Sequence, residues 1–292
     1  MTGTTSTERL STPPVTKSRL TISTRLGDRL AYAAVLLLTA IYVLPLVWVG
    51  LGAIKTRAEM FSVPPAILPS RINLGNFREV LDNTSTLVNS LVISTASTVL
   101  VLLLAIPAAY GFSRYALRRG QDVQLWILST RMLPPIVVII PIFVLFQDLQ
   151  LFDTRLGLIL AYTSFNLPFA VWMLISAFKQ VPIELEEAAR VDGGTLWQTL
   201  TQISIPLAKS GVAVAAIFAF IWAWNDLLFG LVLTANDAKT FPVTLSEYTG
   251  QVNIRWELMA ATSVIQAVPV LLLTLLAQRH IVAGLTFGGV EK

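Results

Sequence analysis

Six long apolar runs, separated by shorter polar segments, set the pattern of this 292-residue chain. They cover residues 30–54, 86–112, 123–147, 156–178, 210–234 and 258–278. Crossing about 30 Å of hydrocarbon at a rise of about 1.5 Å per residue takes ~20 residues, and every run meets that length. Hydrocarbon offers no water to an unpaired N–H or C=O, so such runs predict helices that bond their own backbone. The pattern therefore predicts an all-α membrane protein with six transmembrane helices. Prolines at positions 45, 107, 134, 135, 141, 168 and 269 fall within the runs. The carbonyls they free must be met by neighbours or water, which predicts bent helices around a cavity.

The polar segments divide the rest. Residues 1–24, rich in Thr, Ser and Pro and without apolar periodicity, predict a disordered tail ending in a basic collar. The first run is longer than a signal-peptide core and lacks a clear small-residue cleavage site, so it predicts a retained helix. Residues 55–83 hold Pro64, Pro65 and Pro69 and predict a polar loop too irregular for hydrocarbon. The six-span domain is expected over 25–283, with a short tail over 284–292.

The longest charged interruption in the second half is the loop 180–206. Pro182 suits the first turn of a helix, where its missing N–H costs nothing. Glu184, Glu186 and Glu187 place negative charge near the positive end of that helix's dipole, so a short helix is predicted from near Ile183. Gly193 fits the left-handed residue that ends a helix, a conformation that costs a residue with a side chain ~1–2 kcal/mol. Thr195 and Gln198 form a T-x-x-Q capping box, so a second helix is predicted to restart at once. Leu196, Leu200 and Ile203 share one face of it, and Pro206 is expected to close it. The expected product is a helix–turn–helix knob with an apolar side and an acidic end, protruding as something another protein can grip.

Composition narrows the class. Hydrophobic residues make up 54% and charged residues 13%, against about 25% charged in soluble domains, so the chain is expected to be embedded in a membrane. There is no cysteine and one histidine, which excludes disulfide and thiolate chemistry. No G-x4-G-K-[ST] loop, H-E-x-x-H or G-x-S-x-G pattern occurs, so neither P-loop ATP binding nor a familiar catalytic constellation is expected. The net charge of +4 reflects topology rather than nucleic-acid affinity, because the basic residues flank apolar runs. Thirteen Lys or Arg fall in residues 1–29, in the loop after run 2, between 179 and 209, and after run 6, against seven in the other loops. Both termini and the knob are therefore expected in the cytoplasm.

Glu187-Ala188-Ala189, Gly193, Ile203 and Ile205-Pro206 follow the spacing E-A-A-x3-G-x9-I-x-L-P, with Ile205 where that signature has Leu. In this the chain resembles the permease subunits of ABC importers. Trp224-Asn225-Asp226, the TRMLPP stretch from Thr130 to Pro135, the LGLIL run from Leu156 to Leu160 and the ending from Gly284 to Lys292 resemble the carbohydrate-uptake, maltose-type branch. The resemblance implies a type I importer permease that forms half of the translocation pathway for a sugar or related polyol. It implies a second related permease subunit, two ATPase subunits that bind ATP and Mg, and an extracytoplasmic solute-binding protein. It implies no cofactor in this chain and no enzymatic activity of its own. Glu187, Ala188, Ala189, Asp192 and Gly193 would form the contact with the ATPase, with Ile203 and Pro206 completing the coupling loop. Glu187 would pair with a basic residue, and the two alanines would allow close approach. The segment 236–256 would lie in the loop facing the binding protein. The tail from Gly284 would reach the ATPase, although Phe287 and Glu291 depart from the small and basic residues common there.

Polar groups within the runs carry the remaining candidates. Arg131, about two turns into the third run, must face a partner helix or water, or else snorkel to the headgroups. Asn225 and Asp226 serve either an interhelical hydrogen bond or the solute path. Trp224 and Asn166, with Trp222 and Phe165, offer aromatic faces and an amide to a sugar, or pack. His280 reads as an interfacial residue. The competing functional readings are an ABC permease for glycerol phosphate or amino acids, and an ion-coupled secondary transporter with Arg131 and Asp226 as a charge relay.

Overall fold

A computed structural model describes residues 23–82, 84–116, 118–250 and 254–286. Most of the expected N-terminal tail, and the C-terminal tail from 287, lie outside the described residues. Ser23 and Thr24 belong to the first helix, α1 (Ser23–Ala53), and residues 284–286 to the last, α14 (Trp256–Thr286). The chain forms two compact units, 1–48 and 49–292. Within the first, the described part is apolar helix with Pro45 inside it.

In the second unit, α4 (Thr84–Arg114), α7 (Arg155–Lys179) and α11 (Lys209–Asn225) share one core. Lipid is as apolar as a leucine side chain, so hydrophobicity alone does not drive helices together in a bilayer; close packing of small residues does. The core follows that rule. Ala105 and Ala109 on α4, Ala170 on α7, and Ala215 and Ala219 on α11 are buried around Leu174 and Phe178. A Cβ on Gly211 of α11 would overlap the Cβ of Ala177 on α7, so this crossing needs a glycine.

The expected loop 55–83 is more ordered than its prolines suggest. It holds α2 (Arg57–Met60), capped by a Thr56/Glu59 capping box, and α3 (Gly75–Asp82). Val80 packs with Ala53, Phe241, Leu258 and Ala261, and Asn76 Nδ2 donates to the carbonyls of Ala53 and Lys55 at 2.9 and 2.8 Å.

Among the described residues, four unbroken helices are long and apolar enough to cross a membrane, and two bent helix pairs bring the number to six if each pair is one span. The third run is such a pair: α5 (Gly120–Thr130) and α6 (Pro135–Asp148), bent by 83°. The cause is Pro134-Pro135. A residue before proline is pushed out of the helical region, and Pro134 accordingly sits at φ −60°, ψ 123°. The fifth run is also interrupted. Helix α11 ends at Asn225, Asp226 is extended, and α12 (Leu228–Leu233) restarts, followed by α13 (Phe241–Glu247). At its other end, α11 is bent by 81° from the segment 196–207.

The α7–α11 crossing yields a direct test. Gly211→Leu should separate the two helices and cost ~1–3 kcal/mol from overpacking. In detergent-solubilised protein this should appear as a lowered Tm, and a Tm equal to wild type would contradict the crossing.

Candidate functional site

The knob begins where Pro182 caps α8 (Ile183–Val191). The helix ends in two linked hydrogen bonds: Gly194 N–H donates to Ala189 O at 2.9 Å, and Gly193 N–H to Arg190 O at 3.0 Å. This is the Schellman pattern, and Gly193 holds its left-handed position at φ +88°. Gly194 is needed for a different reason, since a Cβ there would lie 2.8 Å from Ala189 O. The chain restarts in the expected capping box, with Gln198 N–H donating to Thr195 Oγ1 at 3.3 Å and Thr195 N–H to Gln198 Oε1 at 2.8 Å.

The second helix differs from the expected one. After α9 (Leu196–Thr199) the backbone widens into a π-turn, Leu200–Ser204, in which Ile205 N–H bonds Leu200 O, and α10 (Ile205–Leu207) follows. Pro206 therefore lies inside the helical segment and does not close it; the bend comes at Ala208. In an α-helix the proline ring would strike the carbonyl four residues back, and the wider turn before it relieves that contact. The widening also splits the expected apolar face. Leu200 is buried and Ile203 half-buried, whereas Leu196 remains 52% exposed.

What faces outward is compact. Glu187, Ala188, Asp192 and Gly193 are exposed and Ala189 is half-buried. Val191 (87% exposed), Leu196 and Trp197 (69%) add apolar surface around them. An acidic rim around an uncovered apolar patch suits a cleft on another protein better than it suits water.

The adjacent acid does the opposite. Glu186 is buried to 1% exposure. Its Oε2 accepts from Arg114 Nε at 2.9 Å and from the Tyr110 hydroxyl at 3.0 Å, and its Oε1 accepts from Ser204 Oγ at 2.7 Å. Arg114 also donates through Nη2 to Val181 O at 2.9 Å. Burial pushes the Glu186 carboxyl upward, but the bonds from Arg114, Ser204 and Tyr110 together outweigh it and hold it below the usual carboxylate range. A lowered folded-state value means that this contribution is present above the unfolded value of about 4.3 and is lost as pH falls through the folded one. Both halves of the knob are thus tied to the end of α4. Sequence reasoning placed Glu186 with its neighbours as a dipole charge and Arg114 as a loop cation. Two adjacent glutamates lie about 100° apart around a helix, and nothing local says which one turns inward.

The intramembrane candidates are spread over several interhelical ties. Arg131 sits at the break after α5, with its guanidinium 4.7 Å from the centre of the Trp222 ring and Nη1 donating to Phe165 O. It thus engages two partner helices, through Phe165 on α7 and Trp222 on α11. Phe165 and Trp222 are themselves stacked, with ring centres 6.0 Å apart. Asn166 is buried and donates to Ala219 O at 3.3 Å, joining α7 to α11. Trp224 is buried and donates from Nε1 to Gln266 O at 2.9 Å, joining α11 to α14. Asn225 is exposed, donates to Ile221 O at 2.8 Å and accepts from Gln266 Nε2 at 3.3 Å. Asp226 Oδ1 accepts from the N–H groups of Phe229 and Gly230 at 3.0 and 3.4 Å and so caps α12. Arg131 and Asp226 have separate partners, which gives a charge relay between them no support.

Comparison with known proteins agrees with this geometry. Residues 102–286 match the family of binding-protein-dependent transport system inner membrane components. The chain is 35% identical over 271 residues to the trehalose transport system permease protein SugB of Mycobacterium tuberculosis, covering 90% of this chain and 98% of that one. It is 32% identical over 267 residues to the sulfoquinovosyl glycerol transport system permease protein SmoH of Agrobacterium fabrum, covering 90% and 93%. In fold it is similar to a chain of a bacterial ABC transporter involved in alginate import, with a TM-score of 0.75 at 22% identity over 89% of this chain and 98% of that one. The ATP-binding partners of such permeases are separate chains. The family match, the extent of the two relatives and the apolar helices together lead to one identification: this chain belongs to the binding-protein-dependent transport system inner membrane component family, a multi-pass permease subunit of an ABC importer and not an enzyme.

Proposed function

We propose that this permease forms half of the translocation pathway for a sugar or related polyol and is driven through the 180–206 knob by alternating access. The observation that carries the mechanism is the division of labour in α8. Glu187 and its exposed neighbours are free to meet a partner, while Glu186 fastens the same helix to α4. Relatives named for trehalose and for sulfoquinovosyl glycerol support the carbohydrate class of cargo.

In the assembled importer a second related permease completes the pathway, two ATPase subunits bind ATP and Mg, and an extracytoplasmic binding protein delivers solute. Both termini and the knob lie in the cytoplasm, in keeping with the bias of Lys and Arg along the chain. Glu187 pairs with a basic residue in the ATPase cleft, and Ala188 and Ala189 permit close approach. Asp192 and Gly193 shape the turn, and Ile203 and Pro206 carry the chain back toward α11. Closure of the ATPase pair pushes the knob, and the Glu186–Arg114 tie passes that push to α4. Of the five intramembrane candidates, Arg131, Asn225 and Asp226 retain some exposure, while Asn166 and Trp224 are buried. Arg131 and Asn225 line the path, and Asn166, Trp224 and the α12-capping Asp226 hold its walls in place.

Two variants separate shape from anchorage. Gly193→Val forces a β-branched residue into the left-handed region at ~1–2 kcal/mol, about tenfold in the population of the formed turn. Solute-stimulated ATPase of the assembled complex should fall to a similar degree with membrane insertion intact, and a wild-type rate would refute the coupling role. Glu186→Ala leaves Arg114 buried without its partner, a loss of ~3–5 kcal/mol, whereas Glu186→Ala with Arg114→Met removes both charges at far lower cost. Pull-down of the ATPase subunits should be nearly abolished in the first and largely recovered in the second; equal retention in both would refute the anchoring role.

A further inference from the structure

The turn between α12 and α13 is held from behind by one side chain. Asp153, in the turn between α6 and α7, accepts from four successive backbone N–H groups: Ala235 and Asn236 at 2.9 Å, Asp237 at 3.1 Å and Ala238 at 3.0 Å. Successive N–H groups curved around one point form a nest for an anion, and here the anion belongs to the same chain. Burial pushes the Asp153 carboxyl upward, but the four N–H bonds outweigh it and keep it below the usual carboxylate range.

The Asp153 turn is itself specialised. Asp153 is left-handed at φ 54°, and its own N–H donates to Leu233 O at 3.0 Å. The next residue, Thr154, donates to Leu151 O at 2.7 Å and accepts from Gly157 N–H at 3.0 Å, which starts α7. A Cβ at Gly157 would overlap Leu151 O, so the glycine within the LGLIL run serves this turn.

The carbonyl side of the same segment is gripped from α4. Asn89 Nδ2 donates to Asp237 O at 2.8 Å and Lys239 O at 3.0 Å, and its Oδ1 accepts from Arg155 Nε at 2.8 Å. Ser90 Oγ accepts from Phe241 N–H at 2.7 Å. Meanwhile Ala235, Asn236 and Asp237 remain exposed. The segment is thus fixed behind and open in front. It is also fastened to the helix that carries Arg114 ~37 Å further along.

We propose that Asp153 is a positioning residue for docking of the extracytoplasmic binding protein: it presents the exposed 235–237 turn in one orientation and, with Asn89, joins that turn to α4 and so to the knob. The proposal rests on the orientation given under the proposed function, with this turn outside the cell. A carboxylate that meets four N–H groups cannot be replaced by an amide, because the amide's own N–H would face donors.

The test uses Asp153→Ala in the assembled importer in lipid nanodiscs, with retention of the ATPase subunits as the check on folding. Hydrogen exchange at amides 235–238 and ATPase stimulation by the importer's own purified binding protein are read side by side. Exchange should quicken about tenfold as the charge-assisted bonds are lost, stimulation should fall several-fold, and basal ATPase without binding protein should be unchanged. Asp153→Asn should behave like the alanine variant. Unchanged exchange overturns the proposal, and so does faster exchange with full stimulation. A wild-type importer that its binding protein fails to stimulate would instead refute the proposed function, while the exchange measurement still judges the clamp.

Discussion

Glu186 turns a carboxylate into the protein at the point where the knob meets α4, and the surrounding chain is arranged so that this charge has partners. Arg114 and Tyr110 come from the end of one helix and Ser204 from the π-turn in the second half of the knob. A buried carboxylate that loses its cation costs several kcal/mol, so departures of α8 from this seat are strongly resisted. The seat therefore defines where Glu187, one residue later, points. An exposed handle is useful for transmitting force only if its base cannot slip, and the buried acid supplies that base.

Breaks in the helices serve the same end. Pro134-Pro135 divides the third run, and the bend leaves Arg131 at a helix end where its guanidinium reaches Trp222 and Phe165 O. Asp226 stops α11 and starts α12 by accepting the N–H groups that a new helix leaves unpaired. The π-turn before Pro206 places Ser204 beside Glu186. At the two breaks within apolar runs, Arg131 is bonded to Phe165 O and Asp226 to the N–H groups of Phe229 and Gly230, as hydrocarbon surroundings demand of polar groups.

Much of this was legible from residue order. Four of the apolar runs give unbroken helices long enough to cross a membrane, while the third and fifth are broken. Gly193, Thr195 and Gln198 give the turn of the knob down to its hydrogen bonds, because capping chemistry is local. The inward glutamate was not legible, since it depends on how α8 is rotated against α4, a tertiary matter. Nor was the π-turn, which arises from one proline meeting a buried serine and moves Leu200 and Leu196 onto different faces. Trp224 and Asn166 carry side chains equally suited to a sugar or to a neighbouring carbonyl. Their burial against Gln266 O and Ala219 O is what separates the two uses. Asp153, one acid in a short polar loop, gave no sign of the four amides it would collect from a segment 82 residues away.

Seated on Glu186, the knob and α4 move as one body. Because the chain contains no cysteine, spin labels can be placed only where they are wanted. Labels at Leu103→Cys on α4 and Glu184→Cys on α8, both exposed positions, report the distance between the two elements by pulsed electron paramagnetic resonance. In the assembled importer, the account predicts a single narrow distance that is the same without nucleotide and with ATP bound. A broad distribution, or a distance that changes when ATP binds, would contradict it.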